Sequence, residues 1–347
     1  MKSKEEFTKN SWINPGVFEV APGIFRIPLP LVWDSLGAVN VYAVVHGDKG
    51  HSRIALIDSG WGQIEATPLA LSEALADIGF SISHIDQCYI THMHSDHFTY
   101  ALDLRNEFGS QIYLGENERP NLDEAMRGNG SRSGLESRIV RSGSSDAILE
   151  YFKPHKSGHD WEYPNKWLTD GQEVSLDESG GLKLRVSATP GHTRGHVIYT
   201  IEERSITFSG DHVLPTITPS IGFEPMPSDS PLTEYLDSLN SLLTYPDAAL
   251  LPGHGHVAAS VHGRVIELLA HHEERLNNSL IMMNKPSTAF EIAEFLPWTK
   301  RNRKFSELSG LDQLLATNET LAHLDVLVER GLATISERGQ ISIYETT

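Results

Sequence analysis

Within the stretch Thr91-His92-Met93-His94-Ser95-Asp96-His97, six consecutive residues carry three imidazoles and a carboxylate. These are the ligands of a borderline divalent ion such as zinc, and an all-nitrogen-and-oxygen set also admits iron or manganese. In an extended or loop segment the side chains at i and i+2 point the same way. His92 and His94 can therefore hold one ion together, and Asp96 and His97, one turn further on, can serve a second. A group this dense is too costly to leave unpaired in a fold.

The elements that must position it are legible on either side. The apolar run Cys88-Tyr89-Ile90 predicts a buried strand, and residues 98–108 an amphipathic helix. Four further acid or imidazole residues follow predicted strands. Asp58 lies in Ile57-Asp58-Ser59-Gly60 after the strand 54–56, and His192 in Thr189-Pro190-Gly191-His192-Thr193-Arg194-Gly195-His196 after 182–188. Asp211 lies in Ser209-Gly210-Asp211-His212 after 205–208, and His254 in Pro252-Gly253-His254-Gly255 after 248–251. Loops that leave rigid strand ends are where α/β scaffolds build sites.

The His-x-His-x-Asp-His stretch and the four ordered motifs resemble the metallo-β-lactamase superfamily from about residue 20 to residue 260. The resemblance implies an αββα sandwich: two mixed sheets face to face, helices outside, and metals at one edge. It also implies roles. His92, His94 and His192 would hold a first ion, and Asp96, His97 and His254 a second, with Asp211 bridging. A water between two such ions would lose a proton near neutral pH and attack a carbonyl or phosphorus centre. Asp96 would orient it and pass its proton to the leaving group, so Asp96 and Asp211 are the candidate catalytic residues. Asp58 is expected to anchor a ligand from behind, and His196, His212 and His256 to be supporting neighbours.

At 347 residues the chain is long for one domain, and two are expected: 1–261 catalytic and 262–347 C-terminal. Within the first, residues 1–15 read as a loose arm, and two β-like segments flank Pro22-Gly23. A helix is expected to start at Thr67-Pro68. No apolar run approaches a membrane span, the first residues lack the apolar stretch of a signal peptide, and the lone Cys88 has no disulfide partner. A cytoplasmic protein is expected. The net charge of −18 disfavours a broad electropositive surface for nucleic acid.

Residues 115–170 fit the layered pattern poorly and carry Tyr151, Phe152, His155, His159, Trp161, Tyr163 and Trp167. The family resemblance implies a helical insert that caps the metals; the alternative is a surface excursion whose aromatics pack back onto the body. Beyond His254 the pattern turns helical over 261–283, 288–296 and 318–330, and ends in a hairpin across Glu337-Arg338-Gly339-Gln340. Three helices and a hairpin resemble a small winged-helix domain, as in a subfamily that includes mitochondrial endoribonucleases and many bacterial hydrolases. The third helix holds Asp325 and Glu329 beside Arg330, and the one basic cluster is Lys300-Arg301-Asn302-Arg303-Lys304. A structural or dimerising tail is therefore expected over a nucleic-acid contact.

The expected function is a dinuclear metal-dependent hydrolase acting on a small acyl substrate: a carboxylic thioester, lactone or ester. The alternatives are an endoribonuclease, diiron redox chemistry, a homologue that keeps its metals without turnover, and a DNA-binding regulator.

Overall fold

The computed structural model describes residues 11–32, 36–47, 51–127, 131–144, 161–176, 181–299 and 302–347. The chain opens with four strands, β1 (Phe18–Ala21), β2 (Ile24–Pro30), β3 (Ala38–His46) and β4 (Arg53–Ile57). Helix α1 (Ala66–Asp77), strand β5 (Ile85–Ile90), helix α2 (Ser95–Phe108) and strand β6 (Gln111–Gly115) follow. Helices α3 (Arg119–Arg127) and α4 (Ser133–Arg141) and strand β7 (Lys166–Leu168) close the first half. These seven strands form one sheet in sequence order, antiparallel from β1 to β4 and parallel from β4 to β7.

Strands β8 (Glu173–Ser175), β9 (Lys183–Ala188), β10 (Val197–Ile201), β11 (Ile206–Gly210) and β12 (Ala249–Pro252) form the second sheet in the order β12-β11-β10-β9-β8. Only β11 and β12 run parallel in it. Helix α5 (Pro231–Leu242) lies between those two strands in sequence.

Strand β3 shows how the layers arise. Successive strand side chains point to opposite faces. Val39, Val41 and Ala43 join the cluster under α1 and α2, while Tyr42 and Val44 join the cluster between the sheets. The strand is apolar on both faces because both are covered. Cys88 is buried in the helix-side cluster.

After β12 come α6 (Val261–Met282), α7 (Ala289–Ala293), α8 (Gly310–Glu329) and a hairpin of β13 (Ala333–Arg338) and β14 (Ile341–Thr346). Their apolar residues form one cluster with α4, α5 and the outer face of the second sheet, running from Leu135 through Leu250 to Tyr344. Ser260, Thr288 and Ser309 each accept a backbone N–H at a helix start, satisfying donors that have no partner within the helix. The Ser309 cap starts α8 at Gly310, well before the residue 318 expected from apolar spacing. Helix α1 likewise starts one residue before Thr67, with Pro68 inside its first turn.

Among the described residues, the 115–170 segment contains the helices α3 and α4, and its last residues add β7 to the first sheet. Trp161 stacks on Phe98 of α2 at 6.0 Å, and Arg119 lies 4.8 Å over the Trp167 ring. These aromatics therefore pack back onto the body. Tyr151, Phe152, His155 and His159, like Lys300, Arg301 and residues 1–10, lie outside the described residues. Among the described residues, no helix is long and apolar enough to cross a membrane.

Candidate metal centre

The loops after β4, β5, β9, β11 and β12 meet at one edge of the sandwich, bringing all seven expected ligands together. Their donor atoms form three overlapping groups, each within 4.8 Å: His92, His94 and His192; His92, His97 and Asp211; and Asp96, His97 and His254.

In the first group His92 Nε2, His94 Nδ1 and His192 Nε2 lie 3.0–3.2 Å from one another. The far nitrogens of two of these rings are committed as donors. His94 Nε2 faces the Phe223 carbonyl at 3.1 Å, and His192 Nδ1 faces that of Ser220 at 2.6 Å. A neutral ring that donates from one nitrogen presents a lone pair on the other, so His94 and His192 aim lone pairs at each other. Burial pushes all three imidazoles below the ordinary histidine value, with the neighbouring imidazoles adding to the effect on His92 and His192. Lone pairs converging at this spacing suit one cation, since tetrahedral ligands about 2.0–2.1 Å from zinc stand about 3.3 Å apart.

The second group is acidic. His254 Nδ1 donates to Ala38 O at 2.8 Å, and its Nε2 lies 3.4 Å from Asp96 and 3.5 Å from Asp211. His97 Nδ1 is held by Asp58 at 2.8 Å, while its Nε2 has no hydrogen-bond partner among the described residues and sits 3.5 Å from Asp96 and 3.6 Å from Asp211. Burial pushes His97 down, yet the carboxylates of Asp96, Asp58 and Asp211 raise it to about 9. Burial pushes Asp96 up, yet His97 and His254 lower it to about 2. The pocket thus calls for positive charge, and a buried donor set of nitrogen and carboxylate oxygen fits divalent ions. Asp211 reaches both groups, with Oδ2 3.8 Å from His192 and 3.5 Å from His254.

The local structure explains the placement. Asp96 lies in the first turn of α2, where the helix N-terminus favours a carboxylate. Asp58 takes up φ +57, and its carboxylate accepts from Thr91 N at 2.8 Å as well as from His97. A Cβ on Gly253 would stand 2.5 Å from Asp211 Oδ1 and 2.8 Å from the His97 ring, so glycine is required there by close approach. His196 is buried, accepts from Asp211 N at 3.2 Å and stacks beside His92. His212 is buried with neither ring nitrogen partnered among the described residues, and its carbonyl accepts from Tyr235.

Other positioning residues escaped the sequence reading. Asn40, buried in β3, donates to Pro252 O at 3.0 Å and Gly255 O at 2.9 Å and accepts from Arg26 at 2.9 Å, bracketing the His254 loop. The buried carboxylates Glu118 and Glu224 share Asn121 and hold the turn after His192. Glu118 accepts from Thr193 Oγ1 at 2.5 Å and Glu224 from Arg194 N at 2.9 Å.

The Metallo-beta-lactamase superfamily model matches residues 34–254, more than half of the chain and every residue of the three donor groups. The chain belongs to the metallo-beta-lactamase superfamily. With that membership comes the coarse function of a metallo-hydrolase. The chain is 26% identical over 341 residues to a probable metallo-hydrolase, YqjP, of Bacillus subtilis, covering 92% of this chain and 96% of that one. It is 22% identical over 333 residues to the atrochrysone carboxyl ACP thioesterase AgnL7 of Paecilomyces divaricatus, covering 92% and 87%. Among solved structures it is similar to the metallo-beta-lactamase family protein TTHA1429 of Thermus thermophilus, with a TM-score of 0.76 and 26% identity over 95% of this chain and all of that one.

Proposed function

We propose that this superfamily member is a dinuclear hydrolase of carboxylic thioesters, lactones or esters. The observation that carries the reading is the pair of adjoining donor groups spanned by Asp211, one made of neutral imidazoles and the other acidic. In this reading His92, His94 and His192 would hold one ion and Asp96, His97 and His254 the other, with Asp211 placed to serve both. Such a pair, when bound, supplies an acidified water and polarises the oxygen that gains charge. The ions are read as zinc, with iron or manganese also compatible with the donors.

The protein's own share follows from geometry. Asp58, Ala38, Ser220 and Phe223 fix the tautomers of His97, His254, His192 and His94, which keeps the lone pairs aimed inward. Asp96 is the more open of the two carboxylates in the centre. It orients the attacking water, takes its proton and delivers it to the leaving group.

Likeness to a thioesterase along nearly the whole chain supports an acyl substrate, as does the net charge of −18, which disfavours a polyanion. The C-terminal helices and hairpin are read as a structural, winged-helix-like tail, with dimerisation its further proposed use, and the protein as cytoplasmic. The test is turnover of acyl-CoA thioesters, lactones and single-stranded RNA by zinc-loaded protein beside Asp211→Ala. Acyl cleavage that vanishes in the variant is expected; cleavage of RNA alone would replace this reading with the endoribonuclease one.

A further inference from the structure

Two carbonyls that orient the first group of imidazoles, Ser220 O and Phe223 O, lie three residues apart on one loop. That loop is held from two sides. On the ligand side Gly222 N donates to Gly191 O at 3.0 Å, and Glu224 accepts from Arg194 N, so it grips the turn that carries His192. On the other side a buried side chain from the C-terminal region donates to it. Asn318, in α8, donates from Nδ2 to Ile221 O at 2.8 Å. Ile221 is itself buried in the cluster that contains Leu321 and Leu324 of α8.

Asn318 is in turn fixed. Arg138 of α4 donates to its Oδ1 at 3.3 Å and pairs with Asp325, further along α8, at 3.8 Å. Arg141 also pairs with Asp325, and Tyr344 of the terminal hairpin donates to the same carboxylate at 2.7 Å. The amide orientation is therefore set: oxygen toward a guanidinium, nitrogen toward a carbonyl.

We propose that Asn318 is a positioning residue for the metal centre. It ties the C-terminal helix to the 220–224 loop and so holds His94 and His192 at the spacing the first ion needs. The tail is then part of the centre's support. This rests on the two-ion reading above.

The discriminating substitution is Asn318→Asp in the full-length chain. It keeps the shape and the partnership with Arg138 but removes the donor, leaving an oxygen to face the Ile221 carbonyl. Cobalt(II) is titrated into His254→Ala protein, in which the first group is left as the complete donor set, with and without the second change. Direct hydrogen-bond partners of ligands alter metal affinity by about 10–100-fold, so one step further out about fivefold weakening is expected. Arg330→Ala is the control: it breaks the pair with Glu273 that links α8 to α6 without touching Ile221, Arg138 or Asp325, and should lower the melting temperature slightly while leaving the affinity unchanged.

Equal affinity in N318D, or equal weakening by R330A, would overturn the proposal. If N318D does not fold, amide exchange of the wild-type protein decides: zinc should slow exchange in 318–327 together with 220–224, and no slowing in α8 overturns it. Wild-type protein that binds no divalent ion would instead overturn the two-ion reading itself.

Discussion

His97 Nδ1 lies 2.8 Å from Asp58 Oδ2, with both side chains sealed from solvent. The same carboxylate accepts from Thr91 N and Oγ1, so it spans the start and end of the ligand stretch. Asp58→Asn keeps the volume but turns one acceptor into a donor, which must then face either Thr91 N–H or the His97 ring. Affinity for the second ion should fall about 10–100-fold in a metal titration, with the first little changed. Unaltered affinity for both would refute the anchoring role.

Asn40 satisfies three buried groups at once: Arg26 and the carbonyls of Pro252 and Gly255. Asn40→Ala leaves the Gly255 carbonyl without its donor and takes one of two partners from Pro252 O, which keeps Tyr42, and from Arg26, which keeps Trp12 O; a buried polar group left unpaired costs about 1–3 kcal/mol. Urea denaturation of metal-free protein should report a loss of about 2–3 kcal/mol. Tyr42→Phe, which removes only one bond to Pro252 O, should cost about 1 kcal/mol.

Asp96→Asn separates the proton path from the fold. The side chain is partly open, so the thermal midpoint of the metal-free protein should hold within a few degrees. Turnover should fall by about 10²-fold or more. A rate near that of the unaltered protein would reject the assigned role.

The tail should be acid-sensitive. His272 Nδ1 and His323 Nε2 meet at 3.1 Å between α6 and α8, beside His271, Arg275 and Glu319. Burial pushes both imidazoles down, His323 to about 4 against its ordinary 6.5, although Glu319 opposes this. The unfolded chain therefore takes the proton first. Stability is full above the ordinary value and declines as pH falls from 6.5 toward about 4. Between pH 7 and pH 5, His323 alone should account for about 2 kcal/mol in urea unfolding with chelator present. His323→Gln should show a correspondingly shallower decline, and an identical slope would count against the assignment.

The converging donor groups were legible because metal chemistry demands particular side chains, and their spacing around strand ends survives in one dimension. Asp58 and His196 were legible as neighbours for the same reason. Ser220, Phe223 and Ala38 were not, because they act through carbonyls that any residue possesses. Asn40 sits inside an apolar strand and reads as an interruption until β12 is placed beside it. Helices α3 and α4 were legible only as the helical option for 115–170, because each is nine residues long and buries the polar Asn121, Glu124 and Arg138 beside only four apolar residues, Leu122, Ala125, Leu135 and Ile139. Helix α5 carried a start signal, Ser230-Pro231, in a stretch that the ligand motifs overshadowed.

The bond from Asn40 to Pro252 joins residues 212 apart in the sequence, and both sheets must be in place before it forms. Closing so long a loop comes late in folding. A growing chain that has made the His92–His97 stretch but not β12 still lacks His254 and the bracket that aims it. A nascent chain thus offers an incoming ion only a partial set of donors. Full-strength capture is confined to the finished molecule, whose native state the ion then favours by mass action.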